Sequence, residues 1–231
     1  IEPGLEYLEK ALQLALTEKL NDTAIRIYNN LGVTFEAQGE FLKASKYFEK
    51  GLELAKRVGY LSQQPWLYDG LATTYLQFGN LERALESAES AVYLDRNQGQ
   101  FRHLALALCS LGKVHFRFGR IEEAKEAFGE ALKLGEQSGD HQALVQSCVG
   151  LGEIALRLED FESAKVTLMR ALELVEKTGE SRLTGILFPV LAALHIRAHD
   201  IESSKVVLTQ LEAVVQRSKS PVLAAVANRM W

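Results

Sequence analysis

Few residues in this 231-residue sequence have the type and spacing of a metal or redox site. His195 and His199 are four residues apart, which would place two imidazoles on one helical face as metal ligands. Only Asp200 accompanies them, so packing and turn roles are the alternative that we favour. Cys109 and Cys148 could form a redox pair, but a free cysteine is most often a small buried hydrophobe. We therefore expect neither a metal nor a cofactor.

Motifs of the common enzyme classes are missing as well. The sequence has no glycine-rich phosphate loop, no Gly-x-Ser-x-Gly turn and no His-Glu-x-x-His helix. The 26 basic residues are outnumbered by 30 acidic ones, which argues against nucleic-acid binding. No apolar run approaches the ~18–20 residues of a membrane span, and the start lacks the features of a signal peptide. These observations predict a non-enzymatic, cytoplasmic protein.

Three arginines instead recur at a fixed interval. Arg117, Arg157 and Arg197 follow one another at a spacing of 40 residues. Seven of the 17 glycines follow the same interval in two series that are 20 residues out of phase. The first series is Gly39, Gly79 and Gly119, and the second is Gly59, Gly99, Gly139 and Gly179. In the first series Glu159 and His199 take the next two places. A fixed period of this length is typical of a repeat array.

Apolar residues before and after each glycine recur at spacings of three and four, which predicts two amphipathic helices in every repeat. Glycine is favoured just after a helix end, so each glycine series would end one of the two helices. Small residues such as Gly32 and Ala44 would allow neighbouring helices to approach closely. We predict one all-α domain over residues 1–231 with five full repeats, 21–60, 61–100, 101–140, 141–180 and 181–220.

The segments outside the five repeats have the pattern of further helices. Residues 1–20 align with second helices, so they would be the second helix of a preceding repeat. Ser220-Pro221 resembles a helix start, which makes 221–231 the beginning of another first helix. We therefore expect the chain to be a piece of a longer array that lacks polar capping helices. Apolar surface at its end helices could then lead to self-association.

The repeat resembles the tetratricopeptide repeat in Tyr28, Leu31-Gly32, Phe35, Gly39, Phe41, Ala44, Phe48 and Gly51. The period of 40 exceeds the usual ~34 residues of that family. The longer repeat is similar to those of kinesin light chains, LGN-type adaptors and bacterial sensor-regulators. The resemblance implies a right-handed superhelical solenoid whose concave groove is lined by first helices and binds another protein or peptide. The groove residues that it selects are Asn29, Val33, Trp66, Asp69, Thr73, Lys113, Phe116, Arg117, Arg157 and Arg197.

Three features of this groove carry alternatives. The arginines at the 40-residue interval could grip an acidic or phosphorylated segment, or Arg157 and Arg197 could pair locally with Asp160 and Asp200. Trp66 could anchor a ligand or pack against the preceding turn. Asn29 resembles the asparagines that hold extended peptides in related adaptors, but the series is lost after this one residue.

The function that we predict from these features is a non-catalytic scaffold for a partner segment with acidic and apolar residues. The alternative is the sensor region of a larger signalling or transcription-regulating protein, which would bind a small ligand or its own chain.

Overall fold

The computed structural model describes residues 2–179 and 181–218, and all regular structure in this part of the chain is helical. A single turn of 3₁₀-helix at Leu61–Gln63 precedes α4. The helices are α1 (Glu2–Thr17), α2 (Asn21–Ala37), α3 (Phe41–Val58), α4 (Gln64–Phe78), α5 (Leu81–Gln98), α6 (Phe101–Phe118), α7 (Ile121–Ser138), α8 (His141–Arg157), α9 (Phe161–Thr178), α10 (Ser181–Arg197) and α11 (Ile201–Ser218). The predicted all-α class and helix pairs are confirmed. The further helix predicted from residue 221 lies outside the described residues.

The chain divides into two compact units, Ile1–Phe118 and Gly119–Trp231. In the N-terminal unit, α2 packs on α3 and α4 on α5, and the first helices α2, α4 and α6 also contact one another. In the C-terminal unit, α8 packs on α9 and α10 on α11, and α8 contacts α10. First helices are thus neighbours within each unit. That all 231 residues form one domain stays a prediction.

Every helix connection among the described residues uses the left-handed backbone conformation, and all but the first lie at the predicted place. Among the described residues, positive φ angles occur only at intervals of 20, at Lys19, Gly39, Gly59, Gly79, Gly99, Gly119, Gly139, Glu159, Gly179 and His199. Glycine adopts this conformation without the steric cost that a Cβ atom introduces. Glu159 and His199 therefore bear a strain that the other copies of their turn avoid. Lys19 extends the second series by one position that the sequence analysis did not recognise.

The small residues of the helix interiors allow close packing, as predicted. A Cβ atom on Gly32 would lie 2.5 Å from the Phe48 ring, and one on Gly70 would meet the same ring at the same distance. The α3 ring of Phe48, which is fully buried, therefore lies between the glycines of α2 and α4. Gly152 and Leu168 make the equivalent close approach in the C-terminal unit.

Two prolines of the described residues lie in first helices. Pro65 lies in the first turn of α4, where a missing amide hydrogen costs nothing, and Pro189 lies inside α10. Within residues 2–179 and 181–218, none of the helices has the length and apolar character that crossing a bilayer requires.

A candidate recognition site in the N-terminal unit

The groove residues predicted in the N-terminal unit differ in how far they reach the surface. Trp66 is 40% exposed, Val33 is 43% exposed and Arg117 is exposed. The remaining five, Asn29, Asp69, Thr73, Lys113 and Phe116, are half-buried. The Thr73 hydroxyl donates to the Gly70 carbonyl at 3.1 Å, so that side chain is held against its own helix. The most exposed aromatic group among the predicted residues is therefore Trp66.

The Trp66 indole packs on the imidazole of His103, which begins the next first helix. The two ring centroids are 3.7 Å apart and the ring planes are inclined by 29°. His103 itself is only 2% exposed. Trp66 thus packs forward onto the start of α6. That it also anchors a ligand stays a prediction.

Beneath Trp66, His103 forms a buried pair with Asp95 at the end of α5. The His103 Nδ1 atom lies 2.7 Å from Asp95 Oδ2, and the Asp95 side chain has no exposed surface. Burial raises the pKa of the Asp95 carboxyl above its ordinary value of 3.8, and the charge of Asp69 raises it further, while His103 opposes both effects. The geometry fits a His103 N–H group donating to the Asp95 carboxylate.

Three buried polar atoms of this region have no hydrogen-bond partner: Asp69 Oδ1, Asp95 Oδ1 and His103 Nε2. Asp69 is three residues after Trp66, so both lie on one face of α4. We call Trp66, Asp69, Asp95 and His103 the Trp66 cluster. Buried polar atoms are nearly always hydrogen-bonded, so three without partners in one cluster require an explanation.

The buried pair is a property of this junction and not of the repeat. Residues 40 and 80 positions further along the chain are apolar and equally buried, namely Gly135 with Ala143 and Val175 with Leu183. The sequence analysis left the His103–Asp95 pair unrecognised because the two residues lie on different helices. Comparing the repeats by column would have revealed a charged residue at a core position.

The arginines of the C-terminal unit pack against the ends of preceding helices. Arg197 Nη1 donates to the Leu156 carbonyl oxygen at 2.8 Å, in the last turn of α8. Its guanidinium thus satisfies a backbone carbonyl that the helix end leaves free, a contact that neither of the two alternatives for this arginine had included. Arg157 is exposed, and its guanidinium approaches the turn at Gly119.

The acidic partners proposed for these arginines begin helices instead. Asp160 accepts a hydrogen bond from the Ser163 backbone N–H, and Asp200 accepts one from Ser203, both at 3.1 Å. His195 Nδ1 lies 3.3 Å from the Asp200 carboxylate. Within the described part of the chain, no three His, Cys, Asp or Glu side chains form a group that could hold a metal ion. Both cysteines are buried, and neither is in a disulfide bond.

A second feature that the sequence did not indicate is a cleft of about 470 Å³ between α3 and α5. Glu49 accepts a hydrogen bond from the Tyr75 hydroxyl at 2.6 Å and pairs with Arg83 at 3.2 Å. The Arg83 guanidinium also lies 4.2 Å from the centre of the Tyr75 ring. Glu49, Tyr75 and Arg83 bind one another, and none of them has a buried polar atom without a hydrogen-bond partner, unlike three residues of the Trp66 cluster.

Comparison with known proteins places these observations in a family. The family model described as tetratricopeptide repeat matches residues 4–57, 23–97 and 103–177. No protein in the curated set matches the sequence.

Solved structures share the fold at low sequence identity. NprR in complex with its cognate peptide NprX superposes with a TM-score of 0.76 at 17% identity, covering 99% of this chain and 66% of that one. BtubC (BKLC) from P. vanneervenii gives 0.70 at 18% identity, covering 94% and 92%. A signal transduction ATPase with a tetratricopeptide repeat sensor from Pyrococcus horikoshii gives 0.63 at 17% identity, covering 98% and 38%.

Proposed function

Because the chain belongs to the tetratricopeptide repeat family, we propose that it is a non-catalytic interaction protein that binds a peptide segment of a partner along its first helices. The family match covers most of the chain. The fold is shared with NprR, which was crystallised with its cognate peptide. Protein binding is the function that the fold supports, and the binding face on the first helices is our proposal.

Trp66 is the observation that carries this proposal. A tryptophan that is 40% exposed leaves a large apolar area in contact with water. Its stacking on His103 covers one face of the indole and leaves the rest of the side chain toward solvent. Tryptophan is also among the residues most enriched at the energetic centres of interfaces.

Peptide display on the purified protein tests the proposal. Peptides selected on the wild-type chain should bind a Trp66→Ala variant about tenfold or more weakly, because an anchor of this kind contributes at least that much. Tyr93→Ala is the matched control, since Tyr93 is a 66% exposed aromatic on the second helix α5. Equal loss in both variants, or no selected peptides at all, would contradict the proposed function.

Arg117 of the N-terminal unit and Arg157 and Arg197 of the C-terminal unit would each supply a contact for an acidic residue of the ligand. Arg197 uses one N–H group on the Leu156 carbonyl, and a guanidinium has five. Arg157 and Arg117 are exposed. Changing Arg117, Arg157 and Arg197 together to Glu should weaken the binding of acidic peptides and spare neutral ones in a fluorescence anisotropy titration. Unchanged binding of acidic peptides would remove the acidic character from the proposal.

The second candidate is a regulatory region of a larger signalling protein. The chain covers only 66% of NprR and 38% of the ATPase with a repeat sensor, so this fold occurs as one part of longer proteins. A nucleotide-binding or helix-turn-helix module in the full-length sequence would favour this candidate. Ligand binding to the repeats would then change the activity of that module. Binding to a simple interaction scaffold would cause no such change.

A further inference from the structure

We propose that the Trp66 cluster is a pocket for one cationic side chain, the guanidinium of arginine or the ammonium of lysine, in the bound peptide. This inference rests on the proposed function and names one residue class of its ligand. It comes from the chemistry of the unpartnered atoms and from their position under a half-exposed indole.

All three unpartnered atoms can accept hydrogen bonds. Asp69 Oδ1 and Asp95 Oδ1 are carboxylate oxygens, and His103 Nε2 is an acceptor when Nδ1 carries the hydrogen that faces Asp95. Among the described residues, no lysine or arginine forms an ion pair with Asp69 or Asp95. The group that would complete the cluster is therefore a donor, and the two carboxylates favour a positively charged one.

The same atoms disfavour a bound metal ion. Asp69, Asp95 and His103 do not form a group that could hold a metal. A guanidinium spreads five N–H donors over a planar fork, so it can reach acceptors that no single ion could share.

Trp66 provides both the contact and the entrance. One face of the indole covers His103, and the residue as a whole is 40% exposed, so a cation can approach the indole from solvent. Cations are attracted to the face of a tryptophan ring, and arginine stacks on it. Asp69, half-buried on the same face of α4, then supplies the first carboxylate. Asp95 Oδ1 and His103 Nε2 are buried beneath the indole, so binding must displace the indole from His103 before the cation reaches them.

The fold does not require these charges. At the next two junctions of the array, buried apolar pairs fill the same two columns, Gly135 with Ala143 and Val175 with Leu183. Replacing Asp95 by Val and His103 by Leu copies the second of these pairs. This double variant should fold and should remove two of the three acceptors.

The experiment uses a small probe so that its result does not depend on knowing the peptide. Trp231→Phe leaves Trp66 as the only tryptophan, and its fluorescence is followed during titration with Nα-acetyl-arginine amide or Nα-acetyl-lysine amide. The neutral isosteres, Nα-acetyl-citrulline amide and Nα-acetyl-norleucine amide, are titrated in parallel. We expect a saturable change with the cations and about tenfold weaker binding of the isosteres, a difference of about 1.4 kcal/mol.

Variants locate the binding. In the Asp95→Val/His103→Leu background the preference for the cation should disappear, whereas Glu49→Gln, which removes a carboxylate elsewhere in the same unit, should leave it unchanged. Equal binding of cation and isostere, no binding of either, or wild-type behaviour of the double variant would each overturn the proposal.

The outcomes also separate this inference from the proposed function. Displayed peptides that depend on Trp66 but show no preference for arginine or lysine would leave peptide binding intact and remove the cationic pocket. Binding of the arginine amide without any selected peptide would support the cationic pocket and remove the proposed peptide binding.

Discussion

His103 and Asp95 form a buried hydrogen-bonded pair, with 2.7 Å between Nδ1 and Oδ2, at a junction whose two successors in the chain are closed by apolar residues. Such a buried polar pair contributes little net stability, because the cost of removing both groups from water offsets their attraction. Loss of one member is different, since it leaves the other buried without a partner.

The single variants and the double variant of this pair should therefore change the free energy of unfolding in different directions. We expect Asp95→Val alone or His103→Leu alone to lower the free energy of unfolding by about 3–5 kcal/mol. The double variant should be as stable as the wild type, or more stable by about 1–4 kcal/mol. Urea unfolding followed by circular dichroism measures all three. Additive losses in the double variant would show that the two residues contribute independently and do not act as a pair.

Glu159 is expected to weaken its turn because it holds a φ angle of 61° that glycine adopts in the earlier copies. Glu159→Gly should raise the free energy of unfolding by about 0.5–1 kcal/mol, the steric cost less the added chain entropy of glycine. Glu159→Ala retains the Cβ atom and should have no such effect. If both changes stabilise equally, the carboxylate and not the backbone is responsible.

The close contact between Gly32 and Phe48 predicts a position that does not tolerate a methyl group. Gly32→Ala should cost about 1–3 kcal/mol, because the ring of Phe48 has to move within a packed core. Gly129→Ala is the control, since that helical glycine has open space around it and should gain up to about 1 kcal/mol. Thermal melts of the two variants should shift in opposite directions.

Asn80 stabilises the start of α5, because its side chain accepts a hydrogen bond from the Arg83 backbone N–H at 3.2 Å. Asn80→Ala should cost about 1 kcal/mol. Glu40 occupies the same turn position one repeat earlier and makes no such bond, so Glu40→Ala should change stability by less than about 0.5 kcal/mol. Similar losses at both positions would argue against capping.

The start of α9 predicts a pH dependence. Hydrogen bonds from the Ser163 side chain and backbone lower the pKa of Asp160 below its ordinary value of 3.8. Its contribution to stability is thus fully present above that value and is lost as the pH falls through the lower folded-state pKa. Asp160→Asn keeps an acceptor without the titration, so stability should fall less steeply on acidification. If the stability of Asp160→Asn falls as steeply in acid as that of the wild type, other carboxylates cause the pH dependence.

The helix pairs and their turns could be predicted from the sequence because they depend on local rules. Apolar spacing sets the buried faces, and the left-handed turn positions recur every 20 residues regardless of what the helices contact. Glu159 and His199 follow the same geometry without glycine, so the position in the array determines the backbone even where the residue type does not favour it.

The candidate site could be predicted only in part. Trp66 and Asp69 were selected from the groove positions of the family, whereas His103 was one of several scattered histidines and Asp95 was an acid among many. The partner of each is set by packing between α5 and α6, which helical periodicity does not reveal. For Arg197 the sequence suggested the nearby Asp200 as a partner, but the guanidinium donates to the Leu156 carbonyl at the end of α8.

The regular spacing of the turns has a consequence for how such a chain can change in length. Six of the helices have 18 residues, which is about five complete turns at 3.6 residues per turn. A helix of whole turns begins and ends on the same side of its axis. Because the turns recur every 20 residues in the described part of the chain, duplication or deletion of 40 residues would add or remove one helix pair and keep the turn positions of the pairs that follow. The surface available to a ligand can therefore grow or shrink by whole repeats.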